Sequence, residues 1–403
     1  MKNCLIAQSG GPTSVINSSC IGVFEKNLEL NIFDNVYAGL NGIEGILNEN
    51  LSNLSKMDPK IVSKLKYTPA SGLGSCRYKL KDIDICRDEY LKLFEVFKKY
   101  DIDTFFYIGG NDSMDTVKKL SKVGVELNSP IKFIGIPKTI DNDLAIMDHT
   151  PGYGSAAKFI ATTALENSLD ANVYDTKNVF IIESMGRDTG WLAASAVVAR
   201  IDNKPVVDLI YLPEVPFDKV RFLENVKNKL EQKNTVVIVV SEGLRDKDGN
   251  FVSEMNSFGS DKFGHAQLGG VASYLKNLLK HSGVKKVRAV ELSTLQRCSM
   301  HYASQTDIDE AYNLGAYALE NSKSIESGHM VAVKRTSTTP YKSEIFTLHT
   351  ELVANKVKYF PKEWINEEGN NVTEDAYNYV LPLILGQPKI QYENGLPSYV
   401  SIR

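Results

Sequence analysis

Residues 133–143 read Phe-Ile-Gly-Ile-Pro-Lys-Thr-Ile-Asp-Asn-Asp. The first four are apolar or small, as a buried strand requires, and Pro137 closes the run. The next residues are dense in chemistry: Lys138, the Thr139 hydroxyl, and two aspartates, Asp141 and Asp143, two positions apart. A surface turn accounts for aspartate and asparagine. It does not account for a lysine, a threonine and two aspartates together after a buried strand. A carboxylate near a sugar hydroxyl can take its proton as the oxygen attacks phosphorus. A second carboxylate can hold Mg2+, and a lysine can offset charge on a transferring phosphoryl group.

The same layout recurs on both sides. Leu5–Gln8 runs into Ser9-Gly10-Gly11, and Thr104–Ile108 into Gly109-Gly110-Asn111-Asp112. Val179–Ile182 runs into Glu183-Ser184-Met185-Gly186-Arg187, and Thr235–Val240 into Ser241-Glu242-Gly243. Helix-like patterns lie between, as over Ser113–Val123 and Asp218–Lys233. Strand then helix, repeated, predicts an α/β fold with mostly parallel sheets. In such sheets ligands bind at the carboxyl ends of strands, which is where the Gly, Asp, Glu, Lys and Arg clusters fall. Any single cluster is explained as well by an ordinary turn; all of them together are not.

Taken one at a time, the other segments carry less. The glycines of Ser9-Gly10-Gly11-Pro12-Thr13-Ser14 let backbone N–H groups approach phosphate, yet neither a Walker sequence nor GxGxxG is present. Asn111 and Asp112 are suited to positioning Mg2+, while a helix N-cap by Asp112 or Ser113 accounts for them equally. Met185-Gly186-Arg187, Glu242, Arg288 and Gln296-Arg297 add hydrogen-bonding groups, and arginine suits bidentate capture of phosphate. A surface ion pair is the competing reading for each arginine.

The bulk numbers set limits. The chain has 403 residues, enough for two or three domains at ~100–200 residues each. A net charge of −3 gives no nucleic-acid surface, so any anion site is built locally. No apolar run of ~18 residues predicts a membrane span, and the opening MKNCLIAQSGG is too short in its apolar stretch for a signal peptide. Five scattered cysteines and six dispersed histidines, without CxxC or HxxxH spacing, argue for a reducing cytoplasm and against a structural metal site.

With these residues in hand the chain resembles the phosphofructokinase family. SGGPTSVIN (9–17), GGNDS (109–113), PKTIDND (137–143), MGR (185–187), SEG (241–243) and LQR (295–297) occur in that family's order and at about its spacing, up to about Ala316. PKTIDND and GGND are the specific ones. VANK (353–356), PKEWIN (361–366) and NVTEDAYNYVLPLI (371–384) resemble the tail of the longer pyrophosphate-dependent members. The resemblance implies two Rossmann-like α/β domains with the active site in the cleft between them. Residues 1–140 and the returning 298–335 would form the pyrophosphate and Mg2+ domain, 141–297 the fructose 6-phosphate domain, and 336–403 an extension packed on the second. Asp141 would deprotonate the 1-hydroxyl of fructose 6-phosphate, Asp143 would hold Mg2+ with help from Asn111, and Thr139 and Arg187 would contact the transferring phosphoryl group. Ile140 would line the acceptor side. Met185, Gly186, Glu242 and Arg297 would bind the sugar phosphate, with Thr294 a weaker candidate. Gly10, Gly11 and Arg77 would line the donor side, with Lys79 weaker. Arg288 resembles an arginine that reaches into a neighbouring subunit's site, so a homodimer or homotetramer is expected.

Two residues carry the expected donor. ATP-using members typically have glycine where this chain has Asp112 and where it has Lys138. A side chain at 112 would crowd and repel the α-phosphate of ATP, and Lys138 would neutralise pyrophosphate and its leaving phosphate. A structural Asp112–Lys138 ion pair is the alternative. The chain departs from the family's ATP enzymes at Asn111, where they usually have aspartate, at Thr294 and at Asn178, beside which Lys177 could substitute for a missing arginine. Ile21 and Glu25 stand where allosteric bacterial members have effector-binding arginines, so no nucleotide effector site of that kind is expected. Two rivals stay open at this point: an ATP-dependent phosphofructokinase, and a non-catalytic subunit that binds sugar phosphate.

Overall fold

The computed structural model describes residues 2–252 and 270–402. Two sheets are built from strands β1 (Asn3–Gln8), β2 (Val36–Gly39), β3 (Leu51–Asn53), β4 (Ile102–Gly109), β5 (Lys132–Pro137), β6 (Asn178–Ser184), β7 (Leu209–Tyr211), β8 (Thr235–Ser241), β9 (Lys286–Glu291), β10 (His329–Thr338) and β11 (Tyr341–His349). The longer helices are α1 (Ile16–Leu30), α2 (Ile83–Lys99), α3 (Asn111–Glu126), α4 (Tyr153–Ala171), α5 (Lys219–Gln232), α6 (Val271–His281) and α7 (Gln305–Glu320). The apolar runs read from the sequence are the centres of β1, β4, β5, β6 and β8, so the α/β expectation holds.

The chain divides into two compact units. The first comprises Met1–Ser155, Arg297–Val357 and Leu385–Arg403. Its sheet has the order β11-β10-β5-β4-β1-β2-β3. The five central strands are parallel, and β3 and β11 are antiparallel edges. β4 and β5 are buried on both faces, which is why they read as continuous apolar runs rather than alternating ones. One face packs Cys4, Ile6, Phe106 and Ile134 with Ile21 and Phe24 of α1 and Leu314 of α7. The other packs Phe105, Tyr107 and Phe133 with Phe94 and Phe97 of α2. Helices α1 and α7 touch backbone to backbone, since a Cβ on Gly22 would lie 2.0 Å from the Tyr312 carbonyl oxygen and one on Gly315 would lie 1.9 Å from that of Ser19.

The second unit comprises Ala156–Gln296 and Lys358–Ile384. Its sheet, β9-β6-β8-β7, is parallel throughout. Residues 336–403 do not fall to one unit, contrary to the expectation of an extension packed on the second. Part of that segment completes β10 and forms β11 of the first sheet, where Leu348 pairs with Met330 and is buried. Lys358–Ile384 belongs to the second unit, where Trp191, Phe360, Trp364 and Tyr379 form an aromatic cluster. The last stretch returns to the first, packing Val400 and Ile402 against its core. Among the described residues no helix is long and apolar enough to cross a membrane.

Candidate active site

In the first unit the carboxyl ends of β1, β4 and β5 lie side by side, which the parallel register dictates. β1 ends in a turn whose Gly10 has φ +75°, the left-handed region open to glycine. The turn is stitched to the loop that carries Arg77: the Gly10 N–H donates to the Cys76 carbonyl (3.0 Å), and the Ser75 hydroxyl donates to the Gly10 carbonyl (2.6 Å). From the end of β5, Lys138 reaches back and donates its ammonium to the Gly11 carbonyl at 2.6 Å. Lys138 is 2% exposed. Burial pushes its amine down to about 7; Asp141 and Asp143 oppose that, and Arg297 and Arg77 reinforce it. Arg297 comes from the return of the chain into this unit, and its Nη1 lies 3.1 Å from where a Cβ on Gly11 would sit.

Expected residues from distant parts of the sequence thus gather around Lys138: Gly10, Gly11, Arg77, Asp141, Asp143 and Arg297. The Thr139 hydroxyl accepts from the Asp141 N–H (3.2 Å) and faces its carboxylate at 3.4 Å. Ile140 is buried. Asn142, between the two aspartates, is left-handed (φ 54°) and fully buried, and its side-chain oxygen accepts from the Thr150 N–H at 2.9 Å. Sequence reading missed that role. Asparagine between two aspartates is a signal for a left-handed residue, but it does not say what the amide will meet.

At the end of β4 the helix α3 starts directly at Asn111, with Gly110 as its N-cap and no side-chain cap. Asp112 therefore lies in the first turn of a helix, where the macrodipole favours an anion. It pairs with Lys79 at 3.7 Å, whereas Lys138 turns to Gly11; the alternative Asp112–Lys138 ion pair is not the one that forms. Asn111 gives both atoms of its amide to the tail, donating to the Lys356 carbonyl and accepting from the Asn355 N–H, each at 2.5 Å. A carboxylate at this position has no N–H for the first bond. Among the described residues no group of three or more His, Cys, Asp and Glu is arranged to hold a metal ion.

In the second unit, β6 and β8 end next to each other. The Gly186 N–H donates to Glu242 (3.2 Å), the Met185 N–H donates to Gln296 (3.2 Å), and the Ser241 hydroxyl donates to the Gly186 carbonyl. Gly186 has φ +124°, and a Cβ there would lie 2.6 Å from the Thr189 carbonyl oxygen. Arg187 is held by Asp188 at 2.8 Å, and Asp188 also receives Arg245 at 3.2 Å. Met185, Gly186, Arg187 and Glu242 are thus brought together. Arg288 lies apart from them on β9, paired with Asp170, and Thr294 is exposed. A cavity of about 830 Å3 in this unit is lined by Lys177, Leu223, Val226, Leu230, Leu279 and Val284, none of which belongs to this group.

Residues 3–321 match the phosphofructokinase family. The chain belongs to that family. Over 99% of its length it is 42% identical to a protein of Halomonas elongata named pyrophosphate–fructose 6-phosphate 1-phosphotransferase, covering 96% of that protein. A protein of Methylococcus capsulatus with the same name is 41% identical over the whole chain and 96% of its own length. A crystal structure of pyrophosphate-dependent phosphofructokinase from Nitrosospira multiformis superposes with a TM-score of 0.90 at 38% identity, covering 99% of this chain and 96% of that one.

Proposed function

We propose that the chain transfers a phosphoryl group reversibly from pyrophosphate to the 1-hydroxyl of fructose 6-phosphate, giving fructose 1,6-bisphosphate and orthophosphate. The observation that carries the donor is the buried Lys138 ammonium on the glycine turn, together with the Asp112 carboxylate in the first turn of α3. A helix N-terminus ordinarily accepts a phosphate. Here the chain's own carboxylate holds that place, which discourages a third phosphate and the nucleoside beyond it. Pyrophosphate needs neither.

In the forward direction Asp141 accepts the proton of the sugar's 1-hydroxyl as that oxygen bonds to phosphorus. The bridging P–O bond breaks, and orthophosphate departs. Lys138 and Arg77 take up charge on the donor side, while Thr139 and Arg187 contact the transferring group. Met185, Gly186, Glu242 and Arg297 hold the sugar phosphate, the last from beside Gly11. Asp143, with help from Asn111, would hold Mg2+, which binds through one or two carboxylates, waters and substrate phosphates rather than a full protein cage. When bound, it neutralises phosphate charge and orients the donor. The Asn111 amide oxygen accepts one N–H, from Asn355, and keeps a second lone pair for the metal. None of the five cysteines forms a disulfide, in keeping with a cytoplasmic protein. In a homodimer or homotetramer Arg288, here paired with Asp170, would reach into a neighbouring subunit's site.

The test is fructose 1,6-bisphosphate formation with Mg2+ and fructose 6-phosphate, offering pyrophosphate in one assay and ATP in another. Turnover with pyrophosphate alone is expected. Turnover with ATP alone would overturn the roles given to Asp112 and Lys138. No turnover with either, but measurable sugar-phosphate binding, would make the chain a non-catalytic subunit.

A further inference from the structure

The segment after Asp143 is held by a charged clamp outside the groups described so far. His149 is 1% exposed. Its Nδ1 lies 2.8 Å from Asp148 Oδ2 and its Nε2 lies 2.6 Å from Glu310 Oε2, so both ring nitrogens face carboxylate oxygens. Only the imidazolium carries an N–H on each nitrogen; the neutral ring would set a lone pair against one carboxylate. The remaining neighbours agree with a charged ring. Arg335 of β10 donates to Asp148 at 3.2 Å. The Tyr341 and Ser343 hydroxyls of β11 both donate to the second oxygen of Glu310, each at 2.6 Å. Asp307, one turn before Glu310 on α7, accepts from the N–H groups of Gly152 (2.9 Å) and Ser155 (2.8 Å).

The clamp holds the floor of the reacting loop. The Thr139 N–H donates to the Pro151 carbonyl at 3.1 Å, Thr139 and Gly152 form a parallel bridge, and the Thr150 N–H donates to Asn142. Asp141 sits between Thr139 and Asn142, and both of those rest on residues 150–152. Two acidic residues of α7 therefore reach the backbone on either side of Asp141 through His149 and Gly152.

We propose that His149 is a positioning residue for phosphoryl transfer: clamped as an imidazolium between Asp148 and Glu310, it fixes the 149–152 return on which Thr139, Asp141 and Asn142 are set. The proposal rests on the reading of Asp141 as the base. Burial opposes the charged ring, but Glu310 and Asp148 outweigh it and hold the imidazole up at about 9. This folded value lies above the ordinary 6.5, so the clamp's contribution to stability is full below about 6.5, and the clamp itself is lost as pH rises through about 9. The groups that face it are Asp148, Glu310, Asp307, Arg335 and Tyr341.

The experiment compares wild type, His149→Gln, and His149→Gln with Glu310→Gln. The double variant removes the uncompensated carboxylate and restores a neutral hydrogen bond. Turnover per folded molecule in the single variant should fall about 100-fold, the cost of misplacing a reacting group by about 1 Å, with KM for both substrates held within about threefold. Wild-type kcat should show an alkaline limb near pH 9, and the double variant should lack it and regain at least about tenfold of that loss. Amide hydrogen exchange at Thr139 and Thr150, read without substrate, should accelerate in the single variant and recover in the double. Turnover per folded molecule near wild type, or unchanged protection at both amides, would overturn the proposal. The exchange arm needs no activity: if wild type is silent with pyrophosphate, the reading of the function fails while the clamp is still tested.

Discussion

Replacing Lys138 by methionine keeps the side chain's bulk and removes its charge, and the structure sets what that should do. The amine is buried and depressed from 10.5 to about 7. At about 1.4 kcal/mol per pH unit, holding the ammonium inside the folded protein costs of order 5 kcal/mol below pH 7, and the cost fades as pH approaches the unfolded value. Proton binding gives the sign. Between pH 7 and 10.5 the folded state binds fewer protons at Lys138 than the unfolded state, so this residue makes wild-type stability rise with pH in that window. Lys138→Met should therefore raise the urea midpoint at pH 6 and raise it less at pH 9. Activity should move the other way. Loss of one preorganised cationic donor costs about 100- to 1,000-fold in turnover. The informative quantity is the ratio of wild-type to variant kcat/KM for pyrophosphate, followed from pH 6 to 9 with fructose 6-phosphate saturating. The donor's own titration is common to both proteins and cancels. The ratio should be largest at pH 6 and fall about tenfold per pH unit above 7, since kcat/KM reports the free enzyme. A ratio independent of pH, or close to one throughout, would refute the reasoning that a buried ammonium serves the donor.

The other expectations are more direct. Asp141→Asn should lower turnover by at least about 1,000-fold, with fructose 6-phosphate binding still measurable by calorimetry; substantial residual turnover would remove Asp141 from the base role. Asp112→Gly combined with Lys138→Gly should reduce pyrophosphate use and open the first turn of α3 to a nucleotide phosphate, and unchanged pyrophosphate kinetics would show that neither residue sets the donor. Gly315→Ala should destabilise by about 3 kcal/mol or more, at the upper end of overpacking effects, because its Cβ would sit 1.9 Å from the Ser19 carbonyl oxygen; chemical denaturation reads this directly.

Much of the layout of both sheets was legible because it is local. An apolar run ending in Gly-Gly-Asn-Asp or Pro-Lys-Thr-Ile-Asp-Asn-Asp states a strand and its polar end within a dozen residues, and β1, β4, β5, β6 and β8 coincide with those runs. The tail was not legible in the same way. Its strand β11 is mostly exposed or half-buried at a sheet edge, and its later aromatics, Phe360, Trp364 and Tyr379, gain meaning only against Trp191. Asn111 looked like a metal partner because the residue type fits one. Its amide also bonds backbone 245 positions away, a pairing that no local pattern encodes.

The sequence by itself determined the alternation of strand and helix and the placement of the polar and charged clusters at strand ends, because hydrophobic periodicity and turn chemistry act over a few residues. Tertiary structure alone decided which groups meet: Lys138 with Gly11 and Arg297, Asp112 with Lys79, and His149 with Glu310. Those pairings depend on strand order and on where distant segments return, and so do burial and charge. A lysine in the sequence is an ordinary cation, and only the packing around it brings its amine down to about 7.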